Sequence, residues 1–166
     1  TLLTCRSSGD PHYVSWSNER FDFMGRGVYR LASLTTPCGC AVEVQTLACG
    51  CGGGTKCAPG ASANSAVAIR IGELTLAITA DLVVRAYGPD EAPETIEPTA
   101  GAARSFGATR LSRDSGSVGD YAPGEGWRID IPGGGCACGG GWCVWRRLVL
   151  VAEAGACGGG RRVWRR

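Results

Sequence analysis

Residues 9–12 read Gly-Asp-Pro-His, and they hold the only histidine of the 166-residue chain. An Asp-Pro bond has a chemistry of its own. The aspartate carboxyl lies close to its own carbonyl carbon and can attack it, and the proline nitrogen leaves readily once protonated, so the Asp10–Pro11 bond is acid-labile. Three roles compete for this short stretch: a reactive peptide bond, part of a metal site, or a turn. As a turn, Asp10 is held extended by the following proline, Gly9 permits a tight entry, and His12 bonds a neighbouring carbonyl at the start of a strand.

The second set of reactive residues is the ten cysteines, Cys5, Cys38, Cys40, Cys49, Cys51, Cys57, Cys136, Cys138, Cys143 and Cys157. So many thiols in a chain of this size indicate an oxidising compartment and a structural disulfide set. Three pairs are spaced Cys-X-Cys: 38/40, 49/51 and 136/138. On an extended segment such residues lie roughly 6.5 Å apart, near the upper limit for bridging, so each member should reach elsewhere. Structural zinc favours wider knuckles and usually histidine, and the single His12 is remote in sequence. No metal is expected. Each long-loop bridge contributes on the order of 3–4 kcal/mol, enough to offset the looseness that 27 glycines bring.

The elements that position these groups alternate with a period of two. In 12–16, Tyr13 and Ser15 face one way and Val14 and Trp16 the other; Phe21 and Phe23 share a face. Val28, Arg30 and Ala32 stand opposite Tyr29, Leu31 and Ser33, and Val42, Val44 and Leu47 continue the theme. The clearest unit is "AVAIRIGELTLAI", where Val67, Ile69 and Ile71, a Gly72-Glu73 turn, and Leu74, Leu76 and Ile78 make a hairpin. "DLVVRAY" follows as in a meander, and "WRIDI" and "VWRRLVLVA" come later. Strands at this spacing, broken by Gly-, Pro- and Asp-rich turns, indicate an all-β antiparallel sandwich or barrel. The acidic, Pro-rich segment 88–103 reads as a surface loop with a short turn of helix, and the glycine tract 132–143 as a loop fixed by crosslinks. One domain of this length can bury a core.

The charge of +2 is unevenly spread. From residue 142 on, six arginines against one glutamate give +5, leaving −3 for the rest. Such a tail holds polyanions only weakly and in a salt-sensitive way, so residues 159–166 are expected to be a solvated, disordered tail and nucleic acid is not an expected partner. No run is apolar for long enough to span a bilayer. The first residue is Thr1, and no leader-like segment follows it; this reads as a piece of a longer secreted polypeptide.

Taken in order, Cys5, "GDPHY", an aromatic at 16, "RFDFMG" and "VYRLAS" resemble the opening of the von Willebrand factor type D domain. "CAVEVQ" with its small cysteine loop, "AVAIRIGELTLAITADLVVRAYG" and "VWRRLVLVAEAGACG" resemble its later blocks, so the likeness extends over residues 1–158. It implies a β-sandwich, stabilised by disulfides and carrying long Gly/Pro-rich loops. Two departures stand out. Gly27 occupies a position where the family usually has a cysteine, and Cys157-Gly158 leads into glycines and arginines where a Cys-Gly-Leu-Cys-Gly-Asn turn and an Asn/Asp-rich loop would follow.

The resemblance also implies roles. Cys49 or Cys51 would bridge to Cys57, Cys38 or Cys40 to Cys157, and Cys5 to one of Cys136, Cys138 or Cys143. Intermolecular bridges to other extracellular modules, or self-assembly, would fit a secreted or cell-surface matrix protein. Calcium, held in many type D modules, is not expected: Ser17 and Asn18 stand where the family's hairpin Asp would be, and the late loop is absent. Asp10, Glu19 and Asp22 lie near in sequence but read as solvated. Trp145 matches a core position of the family. In several mucin-type D domains the Gly-Asp-Pro-His string cleaves itself at mildly acidic pH. Carried over, Asp10 is the nucleophile, Pro11 the leaving side and His12 a proton donor titrating in the right range. Nothing supports turnover, since the chain has one histidine, no activated-serine elbow and no carboxylate pair in a recognisable setting. The expectation is a non-enzymatic structural module, with self-processing at Asp10–Pro11 as the alternative.

Overall fold

The computed structural model describes residues 6–8, 12–15, 17, 19–35, 39–50, 61–89, 92–99, 101–114, 126–131 and 148–152. The described residues contain no helix and thirteen strands, all paired antiparallel. β1 (Arg6–Ser8), β2 (His12–Val14) and β3 (Arg20–Asp22) form a three-stranded sheet in chain order. A six-stranded meander follows: β4 (Gly27–Thr35), β5 (Ala41–Gly50), β6 (Ser62–Ile71), β7 (Leu74–Thr79), β8 (Val84–Tyr87) and β9 (Glu94–Ile96). β10 (Ala103–Phe106), β11 (Thr109–Asp114), β12 (Gly126–Ile131) and β13 (Leu148–Ala152) make a four-stranded sheet, again in chain order.

The hairpin read from "AVAIRIGELTLAI" is present in the register its alternation demands. Ile71 pairs with Leu74 and Ile69 with Leu76 across a turn in which Gly72 takes φ 59°, a conformation glycine adopts without steric cost. Ile69, Ile71, Leu76 and Ile78 are all buried. They join Val42, Val44, Val84, Ala86 and Ile96 of the same sheet and Leu111, Trp127, Ile129 and Ile131 of the four-stranded sheet in one apolar cluster. One core therefore draws on both sheets. Each such aliphatic side chain taken out of water stabilises by about 1.5–3 kcal/mol.

A second link joins the two sheets. Trp127 is fully buried, and its indole Nε1 donates to the Leu82 carbonyl at 2.6 Å. Leu82 is the only non-glycine at positive φ among the described residues, at 62°. It sits in the turn that carries β7 into β8, closed by Leu82 N donating to the Thr79 carbonyl at 2.9 Å. A left-handed leucine costs about 1–3 kcal/mol, and here it aims a carbonyl at the tryptophan.

The structure departs from the expected pattern in β4, in β5 and in segment 88–103. In β4 the register shifts between Arg30 and Ala32, so Leu31 is the extra residue of a bulge. Beyond it the faces exchange: Ser33 and Thr35 are exposed with Val28 and Arg30, whereas Ala32 and Leu34 pack on the core with Leu31. Grouping Val28 and Arg30 with Ala32 was therefore incorrect past residue 31, because a bulge inserts one residue and re-aims those that follow. In β5 the buried face runs through Val42, Val44, Thr46 and Ala48, leaving Leu47 half-buried on the other. Thr46 replaces Leu47 there because its hydroxyl is satisfied, donating to Asn64 Oδ1 at 3.1 Å and lying 3.3 Å from the Ala66 carbonyl. Segment 88–103 contains a strand, β9, where a turn of helix was expected. Ile96 pairs with Val84 and is buried, and Pro93 and Pro98 limit the strand to three residues. The β10–β11 hairpin, turning at Gly107 with φ 56°, was not anticipated.

The glycine tract 132–143, Trp145 and the tail 159–166 lie outside the described residues.

Candidate functional site

His12 opens β2, directly opposite Ser8 of β1 and Asp22 of β3. This placement brings together two residues ten apart in sequence: His12 Nδ1 and Asp22 Oδ1 are 2.6 Å apart. The contact is that of a charge-assisted hydrogen bond in which the imidazole N–H donates to the carboxylate. It also fixes which ring nitrogen carries that proton. Both side chains are more than half exposed, 58% and 64%, so water screens the pair. A carbonyl partner for His12 was expected; the partner seen is a carboxylate one strand away. Asp22, expected to be merely solvated, is the residue of this cluster that sequence reasoning missed. Only the β2–β3 register reveals it.

Below this pair the hairpin is closed by its own polar groups. Ser15 N donates to the Glu19 carbonyl at 2.9 Å, and Glu19 N donates to Ser15 Oγ at 3.1 Å. Ser17 Oγ lies 2.8 Å from Ser15 Oγ and donates to Glu19 Oε2 at 3.2 Å. Ser17 and Glu19 thus serve the turn. One level up, Tyr13 is buried and stacks on Phe21, with ring centroids 5.2 Å apart. Phe23 meets Tyr29 edge-on at 4.9 Å, and Tyr29 donates to the Arg26 carbonyl at 2.9 Å. Asp10, Pro11 and Asn18 lie outside the described residues. Among the described residues no group of three or more His, Cys, Asp or Glu side chains is placed to hold a metal ion.

Gly27, the position at which a cysteine was expected from the resemblance, has φ 137°. Side chains rarely adopt that backbone conformation, so a cysteine there would require the chain to enter β4 differently.

Two cysteines fall among the described residues. Cys40 is disulfide-bonded and 5% exposed, a member of the apolar cluster. Cys49 is half-buried near the end of β5. It projects from the face of β5 opposite the buried one, with Sγ 2.9 Å from Ser65 Oγ, and Ser65 Oγ in turn donates to the Leu47 carbonyl at 2.9 Å. Cys5, Cys38, Cys51, Cys57, Cys136, Cys138, Cys143 and Cys157 lie outside the described residues.

No family model matches the chain. Over 29 residues, 18% of its length, it is 62% identical to the IgGFc-binding protein of Homo sapiens, and the stretch rounds to 0% of that protein's own length. A short stretch of the chain is therefore similar to a small piece of a far longer polypeptide.

Proposed function

We propose that this chain is a non-catalytic structural module of a secreted or cell-surface protein, of the von Willebrand factor type D kind, contributing to assembly or adhesion. The observation that carries this reading is the disulfide at Cys40, set against the apolar cluster. A buried structural bridge in a chain with ten cysteines belongs to an oxidising compartment. Antiparallel sheets sharing one core support the β-sandwich of that family, and the stretch shared with the IgGFc-binding protein points to the same kind of extracellular polypeptide. Its partners would be other extracellular modules or further copies of itself, joined in part by intermolecular disulfides. The test is alkylation of unfolded protein purified without reductant, read by intact mass. Few of the ten positions should be modified, and bridged peptides should appear in a non-reducing digest. Alkylation at most of the ten positions would defeat the reading.

The contact between His12 and Asp22 favours a second reading, self-processing at Asp10–Pro11. A carboxyl oxygen of Asp10 bonds to the Asp10 carbonyl carbon, the C–N bond to Pro11 breaks, and the proline nitrogen takes up a proton from the His12 imidazolium. The products are a cyclic anhydride on the Asp10 fragment and a new amino terminus at Pro11. Water or an amine then opens the anhydride. With Nδ1 engaged by Asp22, a charged imidazole holds its second proton on Nε2. Incubation at about pH 5.5, where imidazoles become charged, should release a fragment beginning at Pro11, and H12A should slow its appearance. An unchanged mass after prolonged incubation would remove this reading and leave the first intact.

A further inference from the structure

The outward face of the six-stranded sheet carries an ordered set of charges that neither reading uses. Register places Arg30, Gln45, Ala68, Ala77 and Arg85 side by side in one row across β4 to β8. A second row, two residues along, runs Ser33, Glu43, Arg70, Thr75 and Tyr87. At about 4.8 Å per strand the first row spans roughly 19 Å between its terminal arginines. Between them the floor is low, made of two alanines, an amide and a hydroxyl. A shallow depression of about 140 Å³ opens there, lined by Glu43, Gln45, Ala68, Arg70 and Thr75.

The charges in these two rows are three arginines against one glutamate, with Glu73 exposed in the β6–β7 turn at their end. Glu43 is largely covered, and its Oε2 lies 4.0 Å from Arg30 and 3.8 Å from Arg70, while Gln45 Nε2 donates to its other oxygen at 2.6 Å. The two arginine side chains remain 66% and 57% exposed. Arg85 is exposed and makes no ion pair among the described residues. Glu94 of β9 lies opposite buried Ala86, not in these rows, and is paired with Arg104, whose guanidinium Nε is 2.7 Å from its carboxylate. The face therefore presents guanidinium groups that a single carboxylate cannot neutralise.

We propose that this trough binds a linear sulfated polysaccharide laid across the strands, its anionic groups meeting Arg30, Arg70 and Arg85. Guanidinium forks match sulfate oxygens in pairs, Gln45 and Thr75 offer hydrogen bonds to sugar hydroxyls, and Tyr87 at the wall offers a ring face. A protein partner is the poorer fit, because the trough has no apolar pocket for the buried anchor on which such interfaces depend. The site goes beyond the assembly reading and does not require self-association.

Heparin serves as the probe, with neutral dextran and poly-L-glutamate as comparisons, titrated into the full chain at low and high salt. Binding to heparin, weakening with salt, is expected, with little to either comparison. R85Q should weaken it about fivefold, and E43Q, which removes the opposing carboxylate, should tighten it about threefold; the gain in E43Q cannot arise from misfolding. No binding to heparin overturns the proposal. So does binding that R85Q and E43Q leave unchanged, which would assign it to the C-terminal arginines. Equal binding of poly-L-glutamate would make the occupant an acidic peptide and overturn it as well. Sedimentation of the same samples separates the two ideas: a monomer that binds heparin sinks self-assembly and leaves the trough.

Discussion

Ser62 begins β6 fully buried, and its hydroxyl has no hydrogen-bond partner among the described residues. Two positions further on, Asn64 is also buried but satisfied, accepting from Thr46. An unsatisfied buried hydroxyl costs about 1–3 kcal/mol, whereas removing it without changing shape is neutral or favourable. S62A is therefore expected to leave the midpoint of urea unfolding unchanged or to raise it, and T46A to lower it by removing a buried hydroxyl that donates to Asn64 Oδ1. A clear loss in S62A would mean that the hydroxyl is satisfied by water. At this scale little was legible in the sequence. Asp22 was one acidic residue among several near the hairpin, and only pairing across β2 and β3 brings its carboxylate to His12. The same holds for Arg30 and Arg85, 55 positions apart in the chain and aligned by four successive registers.

Elements were legible where two signals agreed. β6 and β7 combine alternating Val67, Ile69, Ile71, Leu74, Leu76 and Ile78 with a glycine at the turn, and the register follows from both. β9 carried conflicting signals. Acidic residues and two prolines spoke for a loop, while Thr95 and Ile96, good strand formers, needed a neighbouring strand edge to make the difference. β8 supplies it, since Ile96 lies against Val84 and closes the edge of the core. I96A should cost about 2–4 kcal/mol through the cavity it opens. Exposed Thr95, changed to alanine, should cost under about 0.5 kcal/mol. Hydrogen exchange would show the first variant freeing the β8–β9 amides; equal, small effects of both would mean that β9 adds nothing to the core. The bulge at Leu31 was illegible for a different reason. Two consecutive apolar residues, Leu31 and Ala32, both face inward, and no local residue type announces the extra step.

The whole molecule depends on how two sheets meet. Alternation implied that apolar faces must be covered, and one cluster drawing on the six- and four-stranded sheets does so. It did not imply the polar joint from Trp127 to Leu82. W127F keeps most of the apolar contact but loses the indole N–H and leaves the part-buried Leu82 carbonyl without this donor. It also replaces the ring beneath Arg113, whose guanidinium carbon sits 5.8 Å from the indole centroid. The expected loss is about 2–4 kcal/mol, from an unmet carbonyl and a smaller ring, seen as a lower chemical unfolding midpoint with the slope unchanged. A loss below about 0.5 kcal/mol would show that apolar contact alone holds the sheets.

The buried indole is also a reporter. Its proton can exchange with deuterium only when the four-stranded layer parts from the turn at Leu82, so one resonance follows that separation while the rest of the molecule stays folded. Were the layers to come apart before the strands themselves unravel, that signal would fade ahead of the amides of β6 and β7. A single slow exchange rate common to all of them would instead mean that the body opens as one cooperative unit.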